Sequence, residues 1–356
     1  MPEPTVPAVV LGGSGYVAGE VLRLLAGHPR LEIAAAVSTT QVGEAVAASF
    51  PHLAGALSAG LRFSDGAALA PVFAAGGDVA VFAATPHGTT AALLDAVLAQ
   101  AEAAGARAHA VDLSADFRFS DPARFASIYG RPHGAPERCA SFACAVPEHV
   151  EGATAPHAAQ PGCFTTAAVL AAYPLFALGL AGDGVFVSAV TGSSGSGRAP
   201  GPGTHHPERS GNMVAYAPLA HRHEAEMRAL LARARGGAEP EVEFVPHSGP
   251  FVRGIHATVR VSLAQAITAP ELAEALRRFY AGAPFVAVSL EPPRLNEVVG
   301  TNRCRLGVAA RGRTAVVTSV IDNLVKGAAG GAVQWMNRLL GWPDATGLQL
   351  SGLGWH

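Results

Sequence analysis

Cys163 lies in the run Gln160-Pro161-Gly162-Cys163-Phe164-Thr165-Thr166, between a Pro-Gly turn and the start of an apolar helical pattern. A thiol at a helix N-terminus feels the positive end of the backbone dipole, which favours the nucleophilic thiolate. The alternative is a buried packing cysteine, and it suits Cys139, Cys144 and Cys304, which lack that setting. Further on, His221-Arg222-His223-Glu224-Ala225-Glu226 puts His223 and Glu226 three residues apart, on one helical face. The carboxylate could orient the imidazole for proton transfer, although a solvated helix start would show the same spacing. An acyl-accepting thiol and a proton-moving histidine are two parts of a covalent mechanism.

A third part lies near the N-terminus. Gly12-Gly13-Ser14-Gly15-Tyr16-Val17-Ala18 places glycines where a strand must turn sharply into a helix. Backbone N–H groups there can approach a dinucleotide pyrophosphate at the helix's positive end. The spacing G-x-x-G-x-x-A only approximates the usual fingerprint, and an ordinary glycine-rich turn is the competing explanation. The second strand ends Val37-Ser38-Thr39-Thr40-Gln41, with hydroxyls and no acid. A carboxylate there would repel a ribose 2′-phosphate, whereas hydroxyls can donate to it, so Ser38, Thr39 and Thr40 favour NADP over NAD.

Two further segments carry polar groups that could bind a ligand. Thr191-Gly192-Ser193-Ser194-Gly195-Ser196-Gly197-Arg198 offers hydroxyls, amides and an arginine to a nicotinamide or an anion, with a flexible linker as the alternative. It does not match the G-x-S-x-G elbow of serine hydrolases. His205, His206, His221 and His223 fall in no HExxH or CxxC frame, so no metal is expected.

The elements that must position these groups follow from apolar patterning. Short apolar strands at 8–11, 31–37, 78–84 and 108–113 alternate with helical stretches at 15–26 and 89–104, as in a doubly wound parallel sheet buried on both faces. After Cys163 the pattern changes. A helix over 167–178 precedes strands at 185–190, 241–245, 256–261 and 313–319, with a helix near 270–280, which fits a largely antiparallel sheet with helices on one face. Residues 322–340 read as a helix with Asp322 as N-cap and Gly341 as its stop.

Composition bounds the rest. The chain has 356 residues, enough for about two domains, with 49% hydrophobic and 15% charged residues. A net charge of −2 gives no footprint for nucleic acid, and no apolar run is long enough to span a membrane. The start of the chain lacks the basic and apolar regions of a signal peptide. Four cysteines without a CxxC form no disulfide framework, so the reducing cytoplasm is the expected compartment.

GGSGYVAGEVLRLLAGHP (12–29), TPHG (85–88), VDLSADFR (111–118), QPGCF (160–164), SGSGR (194–198), HRHEAE (221–226), PHSGPFVRGI (246–255), VVGTN (298–302) and IDNLVKGAAG (321–330) together resemble the N-acetyl-gamma-glutamyl-phosphate reductases of arginine biosynthesis. The resemblance implies an α/β fold of the glyceraldehyde-3-phosphate and aspartate-semialdehyde dehydrogenase class. A Rossmann-like NADP domain (1–162, completed by 329–356) would accompany an α+β catalytic and oligomerisation domain (163–328). It makes Cys163 the nucleophile and His223 the acid–base residue. Around NADP it places Gly12 to Val17, Ser38 to Thr40, Pro86, Ser194, Gly195 and Asn323. Around a small acyl-phosphate substrate it places Arg118, Glu226 and Arg253. A homo-oligomer, dimer or tetramer, is implied as well.

Departures from the family pattern stand at Gln160 and Phe164, where it usually reads NPGCY. Thr204-His205-His206-Pro207-Glu208-Arg209 instead resembles a sister reductase whose acidic amino acid is held by a small carrier protein. That enzyme, with the carrier as a partner, is the alternative reading; a non-catalytic NADP-binding sensor is another. Acid-free cofactor selection gives the first expected outcome: kcat/KM is higher with NADPH than with NADH, and Thr39→Asp shifts the preference toward NADH. Equal use of both cofactors by the unaltered chain would remove this reading of residues 38–40.

Overall fold

The computed structural model describes residues 5–354. Its chain divides into two compact units: the first runs to Gln160 and resumes over Ala329–Gln349, and the second takes Pro161–Ala328 and the residues from Leu350 on. The return to the first unit ends sooner than the sequence reading of 329–356 had it. From Leu350 the chain is tied to the second unit, where Arg303 Nε donates to the Leu350 carbonyl and Gly354 N–H to the Asn296 carbonyl.

The first unit is built on seven parallel strands: β1 (Val6–Leu11), β2 (Leu31–Val37), β3 (Phe63–Ser64), β4 (Asp78–Ala83), β5 (Arg107–Asp112), β6 (Phe142–Cys144) and β7 (His157–Ala159). Their order is β3-β2-β1-β4-β5-β7-β6, the doubly wound arrangement in which the chain reverses direction beside β1. Val9, Val10, Leu11, Val79, Val81 and Phe82 are wholly buried, which is why these strands read as continuous apolar runs rather than as alternating ones. The three-residue strands β6 and β7 carry too short a pattern to be legible in sequence.

Helix Gly330–Leu339 belongs to this unit, where Trp335 Nε1 donates to the Ala145 carbonyl at 2.9 Å and Arg338 Nη1 to the Val150 carbonyl at 2.7 Å. The helix expected over 322–340 is not continuous. Val325–Ala329 forms a π-type turn ahead of it, and Asp322 accepts N–H groups of Leu324 and Val325 at 2.8 and 2.9 Å. Gly341, at φ +71°, takes the left-handed conformation expected after a helix end.

The second unit carries β8 (Ala181–Thr191), β9 (Val214–Ala215), β10 (Glu241–Ser248), β11 (Ile255–Leu263), β12 (Val286–Ser289), β13 (Cys304–Arg311) and β14 (Thr314–Ile321). In the order β12-β13-β14-β11-β8-β10-β9, the β12/β13 and β8/β10 pairs are parallel and the rest antiparallel. Sequence periodicity missed β9, β12 and β13; β13 buries three consecutive residues, Leu306-Gly307-Val308, so its alternation is broken. Helix Cys163–Ala177 starts four residues earlier than the expected 167, with Gly162 as its N-cap.

The glycine-rich turn after β1 shows what each glycine does. Gly12 sits at φ +87°, and a Cβ there would come within 2.6 Å of the Ala84 carbonyl oxygen. Gly15 has an ordinary φ of −79°, and a Cβ there would meet nothing. Gly12→Ala is therefore expected to lower stability by about 1–3 kcal/mol, through backbone strain and a clash with main chain that cannot rotate away. Gly15→Ala leaves it nearly unchanged. Urea unfolding of the two variants checks this; equal midpoints would contradict it.

Candidate active site

The nucleophile candidate opens its helix. Cys163 is the first helical residue, so the first-turn N–H groups that no intrahelical carbonyl takes up surround it. The chain before it is held by a buried carboxylate. Glu226, 2% exposed, accepts the Gly162 N–H and the Thr165 hydroxyl through Oε2, both at 2.9 Å. Its other oxygen, Oε1, lies 4.0 Å from His223 Nε2, so an ion pair forms when that imidazole is protonated. The His223 ring rests on Gly162 so closely that any Cβ at 162 would overlap Nε2. Glycine is thus required beside the cysteine by the neighbouring imidazole, not by backbone conformation.

Helix His223–Ala234 starts at His223, which leaves His221 just outside it. Helical spacing therefore does not set the placement of His221. His221 Nδ1 accepts the His223 N–H at 3.1 Å, and the two rings meet edge to face at 4.6 Å between centroids. Burial, followed by the Arg222 charge, pushes His221 down to about 4, with Glu226 acting in the opposite sense. Near neutral pH it is therefore an uncharged acceptor for the backbone N–H of His223, at the first residue of the helix. Phe164 packs edge-on to both imidazoles, at 5.8 and 6.0 Å. Tyr216 is raised well above the usual phenol range, mainly by burial and then by the charge of Cys163.

Two groups from later in the chain complete this side of the second unit. Asp322, wholly buried, accepts the Gly300 N–H at 2.7 Å and pairs with Arg253 through both carboxylate oxygens, in addition to its two contacts in the π-type turn. That turn brings Gly327 against Cys163, where a Cβ on Gly327 would lie 2.7 Å from the Cys163 Cβ. Arg253, expected at the substrate, is held by Asp322. Asn323 accepts the Gly254 N–H at 2.7 Å and donates to Ser194 Oγ at 3.1 Å. Ser194 and Gly195 sit in a short helical turn whose N–H groups bond back to Phe251, Val252 and Gly192, so this loop is built structure rather than a linker.

In the first unit, Gly12 to Val17, Ser38 to Thr40, Pro86 and Arg118 follow the C-terminal ends of β1, β2, β4 and β5. Helix Tyr16–Ala26 begins at Gly15 with no side-chain cap and no acid in its first turn. Ser38 is buried, with its N–H on the Ser64 carbonyl, while Thr39 and Thr40 are exposed. Arg118 is buried and donates from Nε to the Gln160 carbonyl at 3.0 Å. Asp116 of the same LSADFR run serves the fold by accepting the Gly88 and Ala91 N–H groups. Among the described residues, no group of three or more His, Cys, Asp or Glu is arranged to hold a metal ion, and no helix is long and apolar enough to cross a membrane.

Residues 7–148 match the family model described as semialdehyde dehydrogenase, NAD binding domain, and residues 163–323 the one described as semialdehyde dehydrogenase, dimerisation domain. The N-acetyl-gamma-glutamyl-phosphate reductase of Azotobacter vinelandii is 42% identical over 353 residues, covering 97% of this chain and 98% of that protein. This chain belongs to the N-acetyl-gamma-glutamyl-phosphate reductase family. The reductase of Pseudomonas fluorescens is 40% identical over 351 residues, with the same coverage.

Among solved structures, aspartate semialdehyde dehydrogenase II of Vibrio cholerae, complexed with ASA, superposes with a TM-score of 0.68 at 14% identity, covering 95% of this chain and 99% of that one. The Candida albicans aspartate semialdehyde dehydrogenase, solved with NADP, gives 0.62 at 16% identity, covering 94% and 98%. Those two share the fold, and the architecture expected from the motifs is the one observed.

Gly327 was legible only as part of the IDNLVKGAAG run; nothing in its spacing marks a contact with a cysteine. Gly327→Ala is expected to displace the Cys163 side chain and to slow alkylation of that thiol by iodoacetamide at least about tenfold, since the methyl has no free volume to occupy. Mass spectrometry of the labelled Cys163 peptide reads this directly. An unchanged labelling rate would show that the π-type turn does not set the thiol's position.

Proposed function

We propose that the chain reduces N-acetyl-L-glutamyl 5-phosphate to N-acetyl-L-glutamate 5-semialdehyde and phosphate with NADPH, through a thioester on Cys163, as a step of arginine biosynthesis. The observation that carries the reading is the cluster of Cys163 at a helix start, His223 pressed on Gly162, and Glu226 bonded to both ends of that turn. Identity of about two residues in five with reductases so named, over nearly the whole chain, supports the substrate. A reducing cytoplasm suits a mechanism that needs Cys163 as a thiol, and among the described residues no cysteine forms a disulfide. The matched dimerisation domain supports a homo-oligomer, for which we propose a dimer or tetramer.

The first unit fits the cofactor. At Gly15 open space, unused by the protein, lies beside an uncapped helix N-terminus, which is what an approaching pyrophosphate requires. The exposed hydroxyls of Thr39 and Thr40, with no carboxylate in residues 38–41, suit a 2′-phosphate. Gly12 to Val17, Ser38 to Thr40 and Pro86 would hold NADPH, and the family likeness assigns Ser194, Gly195 and Asn323 to the same cofactor. When bound, it supplies the hydride.

The chain's own residues do the rest. His223 takes the proton of Cys163, and the thiolate attacks the acyl carbonyl. The C–O bond to phosphate breaks as the tetrahedral adduct collapses, which leaves the thioester. First-turn N–H groups of helix Cys163–Ala177 stabilise the oxyanion at this stage and again once hydride has arrived. His223, now an imidazolium beside Glu226, protonates the second oxyanion to a thiohemiacetal. Return of that proton to His223 expels the aldehyde and restores the thiolate. Arg118 would orient an anionic group of the substrate, and its bond to the Gln160 carbonyl fixes the chain just before the catalytic turn.

The test is the reverse reaction, with NADP, phosphate and N-acetylglutamate semialdehyde. Cys163→Ser is expected to abolish turnover while NADPH binding persists. His223→Asn lowers kcat by about 10²–10⁴ with KM little changed. His221→Asn falls between that variant and the unaltered chain, because it removes the ring that packs edge to face on His223. Wild-type turnover by Cys163→Ser, or oxidation of only a carrier-linked semialdehyde, would overturn the mechanism or the substrate respectively.

A further inference from the structure

The second unit holds a cavity of about 540 Å³ whose lining includes His205, Glu208, Arg209, Asn212, Val214 and Ser248. Ser248 ends β10 and lies opposite Val214 of the edge strand β9, so the cavity is seated on the sheet and closed on one side by the turn ahead of Arg209. Arg209 is its unusual member. Its Nη1 donates to Ser248 Oγ, which fixes one end of the guanidinium. Nε and Nη2 are buried with no partner among the described residues. Those two donors form one edge of the guanidinium plane, the edge that grips both oxygens of a carboxylate side-on.

A buried guanidinium without an anion is costly, because desolvation is not repaid by a counter-charge. Glu208, which also lines the cavity, makes no ion pair with Arg209 among the described residues, and its carbonyl is taken by Asn212 Nδ2 at 3.0 Å. Burial holds Arg209 below the usual arginine range, and Tyr216 is the group whose charge opposes that shift. Tyr216, two residues past Val214 of the cavity wall, meets the His221 ring edge to face at 5.7 Å between centroids, so the wall continues to the His221/His223 pair. The turn covering the edge is largely exposed from Pro202 to Glu208.

We infer that Arg209 is a specificity-determining residue, whose free Nε/Nη2 edge receives the carboxylate that the substrate carries away from its reacting acyl carbon. The inference rests on the proposed reduction of an acidic acyl phosphate by Cys163, and goes beyond it by naming where the non-reacting end is recognised. The cavity has room for the acylamino-carboxylate portion of such a molecule, with Asn212 and His205 at its wall.

The test compares N-acetylglutamate semialdehyde with its α-carboxamide in the reverse reaction, for the unaltered enzyme, Arg209→Met and Arg209→Lys. The unaltered enzyme is expected to prefer the carboxylate in kcat/KM by at least about tenfold, the scale of one charge-assisted bidentate contact. Arg209→Met loses that preference through KM for the semialdehyde, while KM for NADP and for phosphate stays within about twofold. Arg209→Lys keeps part of it, as a point charge without the fork. Arg209→Met with an unchanged carboxylate preference would overturn the inference, as would a rise confined to KM for phosphate, which would mark a phosphate site instead.

Titration calorimetry of N-acetyl-L-glutamate against its α-amide asks the same question without turnover. An inactive unaltered enzyme that still binds the acid better through Arg209 would sink the reaction and keep the subsite.

Discussion

The carboxylate of Glu226 is the contact on which the rest of the second unit's chemistry depends. Burying a carboxylate costs several kcal/mol unless donors replace its water. Here two do, the Gly162 N–H and the Thr165 hydroxyl, and both belong to the turn that presents Cys163. One group therefore fixes the thiol's turn and stands beside the imidazole of His223. Loss of the carboxylate would orphan a backbone donor and a hydroxyl together, at about 1–3 kcal/mol each, and would free the turn at the same time.

That arrangement imposes close approaches elsewhere. His223 can lie on Gly162 only because position 162 has no Cβ, and the π-type turn can reach Cys163 only because position 327 has none. The turn itself is held by Asp322, which spends its oxygens on the N–H groups of Gly300, Leu324 and Val325 and on Arg253. Buried carboxylates thus hold both the helix start and the turn that faces it. The carboxylates carry the cost of desolvation, and in exchange the positions of the reacting groups are set before any substrate arrives.

The candidate chemistry-bearing residues stand out in the sequence because their types are rare and their settings specific. A cysteine after Pro-Gly and before Thr-Thr-Ala-Ala, and a histidine three before a glutamate, declare themselves. The parallel sheet was legible from continuous apolar runs, which follow from burial on both faces. What stayed hidden was tertiary. Helical spacing alone would separate His221 from His223, yet the helix starts at 223 and leaves both rings in contact. The pairing of Arg253 with Asp322, 69 residues along the chain, follows from no spacing rule. Arg209 drew notice only as part of a family likeness, since no spacing rule shows that two of its donors lack partners. Strands β12 and β13 were missed because a glycine and mixed burial break their alternation.

The central claim is an acyl group carried on Cys163, and it can be weighed. The enzyme is mixed with N-acetylglutamate semialdehyde and NADP in the absence of phosphate, quenched in acid, and its Cys163 peptide is measured by mass spectrometry. The account predicts one equivalent of NADPH per active site, together with an N-acetylglutamyl group on Cys163 that disappears when phosphate is added. Turnover on adding phosphate, with no adduct on Cys163 at any earlier time, would contradict it.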